Sequence, residues 1–181
     1  MAMRAAFTIR RAMPDDAGML SVFGGRVFRE FFGPDNTPAD IIAHVAATYS
    51  PEIQRRELLD PEMCTFVAVS GEEPIGYAHL RKARAPGDSS AESPIELERF
   101  YVDGAWHGKG VAQALMEESV THMAAKGADA IWLSVWERNS RAIAFYGKMG
   151  FIQSGRKFFW VGSDRQNDYI MSRALQKAVS I

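Results

Sequence analysis

The sequence has few residues that could hold a metal ion or form a disulfide. It contains one cysteine, Cys64, and four histidines in 181 residues. A single cysteine cannot form an internal disulfide, and the histidines lack the spacing of a zinc site. The sequence therefore predicts neither a disulfide framework nor a bound metal.

Long apolar segments are also lacking. No stretch approaches the roughly 18 consecutive apolar residues that would span a membrane, and the N-terminal residues become polar too soon for a signal peptide. We therefore expect a cytoplasmic protein that does not associate with membranes.

Neither sign of charge is in excess. There are 21 basic and 22 acidic residues in all, divided as 10 and 12 in residues 1–90 and as 11 and 10 in residues 91–181. Such a balance excludes the basic surface of a typical nucleic-acid-binding protein. The length and a hydrophobic content of 47% predict a single domain over residues 1–181 with a small-molecule partner. The oligomeric state is left open as monomer or homodimer.

Strand patterns and helix starts alternate along the chain. Strands are predicted at Phe7–Arg11, Cys64–Val69, Pro74–Leu80, Ile95–Val102, Ala130–Trp136, Phe158–Val161 and Tyr169–Met171. Helices are predicted to follow Met13, Thr37, Ser50, Gly110 and Asn139. The strand, helix and strand between Ile95 and Trp136 indicate a βαβ unit with parallel strands.

The segment from Glu96 to Ala112 is the most informative, because a strand runs through a glycine-containing turn into a helix. Free backbone N–H groups at such a helix start bind anions and suit a pyrophosphate. Gly108 and Gly110 could equally serve only to tighten the turn. A dinucleotide-binding motif would need a glycine in place of Gln113 and an acidic residue near the end of the next strand, and both are missing.

Two ordered motifs show a family resemblance. The segment His107-Gly-Lys-Gly-Val-Ala112 resembles the acetyl-CoA pyrophosphate motif of the Gcn5-related N-acetyltransferases, Arg/Gln-x-x-Gly-x-Gly/Ala. The segment Leu133–Phe151 resembles the second motif of that family in its Asn139, its Ala-Ile-x-Phe-Tyr and its Gly-Phe ending. The departures are His107, where Arg or Gln is usual, and Ala112, where Gly is commonest.

The resemblance implies a fold and a cosubstrate. The fold would be the α/β (α+β) acyl-CoA N-acyltransferase fold, a mixed, mostly antiparallel twisted sheet flanked by helices on both faces. Acetyl-CoA would bind through the turn residues and the backbone of the preceding strand, with Asn139 and Tyr146 also in contact. These cofactor-binding residues are Tyr101, Val102, His107, Gly108, Lys109, Gly110, Val111, Ala112, Asn139 and Tyr146.

The resemblance also assigns catalytic roles. Tyr146 would donate a proton to the departing CoA thiolate, although helical periodicity alone places it on a core stripe with Phe145. Glu98 is the preferred base for the acceptor amine, with Glu96 as the alternative base or as a partner of the substrate ammonium. Strict alternation along the strand would place Glu96, Glu98, Phe100 and Val102 on one face.

The closest likeness within the family is to bacterial polyamine acetyltransferases of the spermidine/spermine type. It is based on the Asp35–Pro38 helix entry, the Trp132–Glu137 segment and the tail from Val161 to Asp168. The resemblance thus implies acetylation of a primary amine, a polyamine above all, by direct attack in a ternary complex. The alternatives are acetylation of a protein N-terminus or lysine, and a sensor that binds acetyl-CoA without turnover. The aromatic residues Phe28, Phe31 and Phe32 are interpreted as core in preference to an acceptor-pocket wall.

Overall fold

The computed structural model describes residues 6–86, 90–161 and 164–176. Its seven strands are Thr8–Arg11 (β1), Met63–Ser70 (β2), Glu73–Lys82 (β3), Pro94–Val102 (β4), Ala130–Trp136 (β5), Ile152–Val161 (β6) and Asp164–Ala174 (β7). Its five α-helices are Ala17–Phe32 (α1), Pro38–Tyr49 (α2), Pro51–Leu59 (α3), Val111–Ala125 (α4) and Ser140–Lys148 (α5). Among these described residues, no helix is long and apolar enough to cross a membrane.

The strands form one sheet in the order β1-β2-β3-β4-β5-β7-β6. Every neighbouring pair is antiparallel except β4 and β5, which confirms the predicted parallel pair. That parallel ladder pairs only Pro94, Ile95 and Glu96 with Ala130, Ile131 and Trp132, so the two strands separate immediately afterwards. The mixed, mostly antiparallel sheet predicted from the family resemblance is confirmed.

The helix starts follow from local capping chemistry. The Thr37 side chain accepts a hydrogen bond from the Asp40 N–H at the start of α2, and Ser50 does the same for Ile53 at the start of α3. A proline follows each cap at the first helical position, where its missing N–H costs nothing. The first helix differs slightly from the prediction, because a 3₁₀ turn over Pro14–Asp16 precedes it.

Two buried clusters lie on opposite faces of the sheet. The first contains side chains of α4 and of the strands, including Leu115, Met116 and Leu133. The second lies under α1 and α2 and includes Leu20, Phe28 and Tyr77. The helices therefore cover both faces, as the resemblance implied.

The closing hairpin is longer than its sequence pattern suggested. The predicted segment Phe158–Val161 is the C-terminal part of β6, and Tyr169–Met171 is the middle part of β7; the two strands pair from Ile152 to Val161 of β6. Polar residues precede the apolar run in β6 and lie on both sides of it in β7, so the hydrophobic pattern indicated only part of each strand. The predicted turn at Gly162 and Ser163 lies outside the described residues.

A bulge in β4 changes the predicted facing of its side chains. His79 of β3 pairs with Arg99 and the next residue, Leu80, pairs with Leu97, which leaves Glu98 as an extra residue. Phe100 and Val102 consequently pack on the first cluster together with Leu97. The prediction that they share a face with Glu96 and Glu98 is wrong, because an inserted residue reverses the alternation.

Candidate active site

A cleft of about 1090 Å³ opens where β4 and β5 separate. Ligand pockets typically have a volume of about 300–1000 Å³, so this cleft can hold a large ligand. Its lining comes from the C-terminal end of α1, the ends of β4 and β5, the glycine turn and α5. Among the predicted residues, the following line the cleft: Glu98, Tyr101, Val102, His107, Gly108, Lys109, Gly110, Ala112, Asn139 and Tyr146.

One end of the cleft is built from the backbone of the glycine turn. Gly108 and Gly110 have φ angles of 75° and 86°, a left-handed region that disfavours residues with a Cβ. Gly110 is the N-cap of the 15-residue helix α4, and no side chain caps the N–H groups that follow it. Such uncapped N–H groups, together with the helix dipole, suit the pyrophosphate of a CoA ester. Val111 is fully buried, so its side chain packs in the core and does not line the cleft.

The imidazole of His107 faces the backbone. Its Nε2 lies 2.8 Å from the Val102 carbonyl oxygen, which links the turn to the end of β4. The imidazole therefore contacts the backbone at the position where the family motif usually has Arg or Gln. It also engages the Val102 carbonyl that was predicted to pair with pantetheine.

Helix α5 contributes Asn139 and Tyr146. The Asn139 side chain accepts a hydrogen bond of 3.1 Å from the Ala142 N–H, so it caps the helix while it lines the cleft. Tyr146 is 7% exposed, its ring centroid lies 6.2 Å from that of Phe100, and it lines the cleft as well. Both interpretations of this tyrosine, core aromatic and cleft residue, are therefore compatible with its position. Burial raises the pKa of the Tyr146 phenol, which keeps its proton available for donation.

Glu98, which lines the cleft, belongs to a cluster of charged side chains that lies behind it. Arg81 contacts Glu96 Oε2 at 2.7 Å through both Nε and Nη2, and its Nη1 lies 3.0 Å from Glu98 Oε1. The Arg99 guanidinium is 2.5 Å from Glu57 Oε1 and 3.0 Å from Glu98 Oε2. These five side chains form one ion-pair network that joins α3, β3 and β4.

The network exposes only one of the two predicted acids. Glu98 lines the cleft, whereas Glu96 is 4% exposed, bound to Arg81 and absent from the lining. Both acids contact Arg81 and lie on the same face of the sheet, as the sequence predicted for Glu96 and Glu98. A direct contact between Glu96 and a substrate is not supported by this placement.

His79 lies beneath the network. Its Nδ1 shares a hydrogen bond of 2.8 Å with Thr65 Oγ1, and its Nε2 is 3.7 Å from Glu98 Oε2. Burial holds the pKa of His79 well below its ordinary value, and the charges of Arg99 and Arg81 lower it further. Glu57, His79 and Glu98 could in principle ligate a cation. However, Nη2 of Arg99 already lies between the two carboxylates.

Several cleft residues escaped prediction. Phe28 is buried in the core, Phe32 packs against that core and also lines the cleft, and Phe31 is exposed and lines the cleft, so the core interpretation is wrong for Phe31 alone. Glu30, Ser134, Trp136 and Arg141 also line the cleft but were given no role; the last three lie in the Leu133–Phe151 segment at positions that the family's second motif does not mark. For Ser134 and Trp136, alternation along β5 with the core residues Leu133 and Val135 could have indicated their face.

Comparisons with known proteins agree with this geometry. The profile of the Acetyltransferase (GNAT) family matches residues 28–151. An uncharacterized N-acetyltransferase of Mycobacterium tuberculosis is 34% identical over 160 residues, which cover 88% of this chain and 98% of that protein. The spermine/spermidine N(1)-acetyltransferase of Bacillus subtilis is 25% identical over 132 residues, 69% of this chain and 87% of that protein.

A solved structure shows the same fold. The PaiA N-acetyltransferase of Thermoplasma acidophilum, in complex with coenzyme A, has a TM-score of 0.76 at 22% identity and covers 93% of this chain and 99% of its own. The family profile and the mycobacterial relative, each over most of the chain, show that this protein belongs to the GNAT family of N-acetyltransferases and uses acetyl-CoA as its acetyl donor.

Proposed function

We propose that the acceptor is a polyamine or a similar alkyl amine with more than one ammonium group. The observation that carries this proposal is the charge of the ion-pair network that reaches the cleft at Glu98. Three carboxylates, those of Glu57, Glu96 and Glu98, face two guanidinium groups, and the neighbouring His79 is neutral. The network therefore keeps one negative charge, which an ammonium group in the cleft would balance.

The cleft offers two carboxylates to such a substrate. Glu98 lines the cleft, and Glu30 lies at the end of α1, where it also pairs with Arg26 at 2.9 Å. Phe31 and Phe32 lie beside Glu30, and their rings can pack on the methylene groups of the substrate or face its ammonium. A molecule with ammonium groups at both ends of an alkyl chain matches these features better than a monoamine.

A second positive charge on the substrate also helps the reaction. An alkyl ammonium group resembles the lysine side-chain ammonium, with a pKa of about 10.4, so losing its proton at pH 7 costs roughly 4–5 kcal/mol. A nearby positive charge on the same molecule lowers the pKa of the attacking amine. Tyr146 is proposed to protonate the departing thiolate, and Asn139 to contact the pantetheine arm, as the family resemblance implies.

The substrate proposal is tested by measuring the release of CoA thiol. We expect spermidine to exceed n-butylamine in kcat/KM, and Glu30→Gln to raise KM for spermidine while leaving n-butylamine unaffected. Glu72→Gln, a charge-matched change in the exposed β2–β3 turn, is the control. If peptides are acetylated and polyamines are not, the protein is a protein acetyltransferase. If acetyl-CoA binds but no amine is acetylated, the protein is a sensor.

A further inference from the structure

A second buried carboxylate lies near the cleft and has no assigned role. Asp168 of β7 is 5% exposed, and its Oδ1 has no hydrogen-bond partner among the described residues. Asp168 pairs with Trp136 of β5, and Ser134 lies two residues earlier on the same face of β5, so its hydroxyl neighbours the Asp168 carboxylate and acts on it. Ser134 lines the cleft, so this pair connects a buried carboxylate to the substrate space.

Ser134 lies at the point where the sheet opens. The last paired residues of β4 and β5 are Glu96 and Trp132, and Glu98 and Ser134 each follow two residues later. Leu133 and Val135 point into the first core cluster, so Ser134 points to the other face, the one on which Glu98 meets Arg81. An amine that enters between the strands therefore meets Glu98 on one side and Ser134 on the other.

The two carboxylates differ in what surrounds them. Each oxygen of Glu98 already accepts a contact from a guanidinium, Oε1 from Arg81 and Oε2 from Arg99. The charged groups that act on Asp168 in the described part of the chain are Lys157 of β6 and Glu137 after β5. Burial raises the pKa of Asp168 and Glu137 adds to this, whereas Lys157 and the Ser134 hydroxyl oppose it. A carboxylate with a raised pKa is the better proton acceptor.

We propose that Ser134 and Asp168 form the proton path of the attacking amine. The ammonium nitrogen gives one proton to Ser134 Oγ while the hydroxyl proton of Ser134 passes to the Asp168 carboxylate. The freed nitrogen lone pair then forms the bond to the acetyl carbon as the carbon–sulfur bond breaks. The thiolate takes a proton from Tyr146, which regains one from the acetylated nitrogen, and Asp168 later returns its proton to water.

This inference rests on acetyl transfer to an amine, but it does not require that the amine is a polyamine. Ser134 is then a catalytic residue, and Asp168 acts through it. Glu98 keeps its role as the carboxylate that attracts the ammonium. The sequence-based preference for Glu98 as the base is replaced by this proposal.

The test measures kcat, KM and their pH dependence with whichever of spermidine, n-butylamine and a lysine peptide is fastest. We expect Ser134→Ala and Asp168→Asn each to lower kcat about 10²- to 10⁴-fold, the usual contribution of a general base. The dissociation constant of acetyl-CoA should stay unchanged, which also shows that each variant is folded. Ser134→Thr keeps a hydroxyl and should restore most of the rate, and Ser172→Ala on β7 is the control.

A substitution at Lys157 separates proton transfer from a structural role. Lys157→Met removes the positive charge that favours ionised Asp168, so the acid limb of the kcat profile should move to higher pH while the plateau is kept. Glu98→Gln should raise KM and leave that limb in place. If Asp168→Asn keeps the acid limb and Glu98→Gln removes it, or if Ser134→Ala retains the wild-type kcat, the proposal is overturned. Inert polyamines with an active peptide would refute only the substrate proposal.

Discussion

The two ends of the cleft are built in different ways. At the proposed donor end, consecutive residues from His107 to Ala112 offer backbone groups that suit a pyrophosphate, and Gly110 sets the geometry. At the proposed acceptor end, side chains from α1, α3, β3, β4, β5 and β7 lie near one another through long-range pairing. A site made from one stretch of backbone tolerates many side chains, whereas a site made from distant side chains changes with each substitution. The acceptor end can therefore diverge while the donor end is kept.

The largest expected effect is on the ion-pair network at the acceptor end. Arg99→Met leaves the buried carboxylate of Glu57 without its partner, which should lower the free energy of unfolding by about 3–5 kcal/mol. Urea unfolding measures this loss. The double variant Glu57→Gln/Arg99→Met should recover part of it, because the unpaired charge is gone.

The control for that network is an exposed ion pair. Lys82 and Glu62 lie 3.3 Å apart, and both side chains are more than half exposed. Lys82→Met should change the free energy of unfolding by less than about 1 kcal/mol. Equal losses at Arg99 and Lys82 would show that the buried network does not hold the acceptor end together.

The next effect concerns the donor end. Gly110→Glu would place a carboxylate at the pyrophosphate position and should abolish the stabilisation by acetyl-CoA, about 2.7 kcal/mol at 100 times the dissociation constant. Thermal unfolding with and without acetyl-CoA measures it. Gly127→Glu is a matched control, because Gly127 has a φ of 89° at the other end of α4. If both variants keep the acetyl-CoA shift, the turn is not the pyrophosphate site.

The third prediction separates the two ends at Tyr146. Tyr146→Phe should lower kcat about 10²-fold or more, the usual contribution of a general acid, while the affinity for acetyl-CoA is kept. Steady-state kinetics and a binding titration measure the two quantities. Tyr169→Phe is the control, because Tyr169 packs against the same core cluster. A parallel loss of binding and stability at Tyr146 would mean that the phenol serves packing alone.

The smallest expected effect is a pH dependence of stability from His79. Because the folded-state pKa of His79 is depressed, its stabilisation is complete above the unfolded pKa near 6.5 and is lost as the pH falls towards the folded value. Lowering the pH from 7.5 to 5.5 should therefore reduce the free energy of unfolding by about 1.4 kcal/mol through His79. His79→Gln should remove this pH dependence of the free energy of unfolding, which urea unfolding at several pH values measures. His122→Gln should remove less, because His122 is only half-buried.

The contrast between the two ends also explains what the sequence could predict. Gly108, Gly110 and Asn139 act locally, so their order in the chain indicates the helix starts and the proposed donor site. The Glu98 bulge depends on the register between β3 and β4, which no pattern within β4 shows. Ser134 and Asp168 are 34 residues apart and meet only because β5 pairs with β7. Local motifs therefore predicted the cosubstrate and the fold, whereas the contacts of the acceptor required the structure.

The short parallel ladder has a consequence for cooperativity. Three residue pairs join β4 to β5, whereas seven join β5 to β7. The sheet therefore consists of two parts, β1 to β4 and β5 to β7, with a weakly paired seam between them. A ligand held by β4 on one side and by α5 on the other would bridge that seam. Amide hydrogen exchange in β5 to β7 should accordingly slow more on acetyl-CoA binding than exchange in β1 to β3, and the two parts should then unfold as one unit.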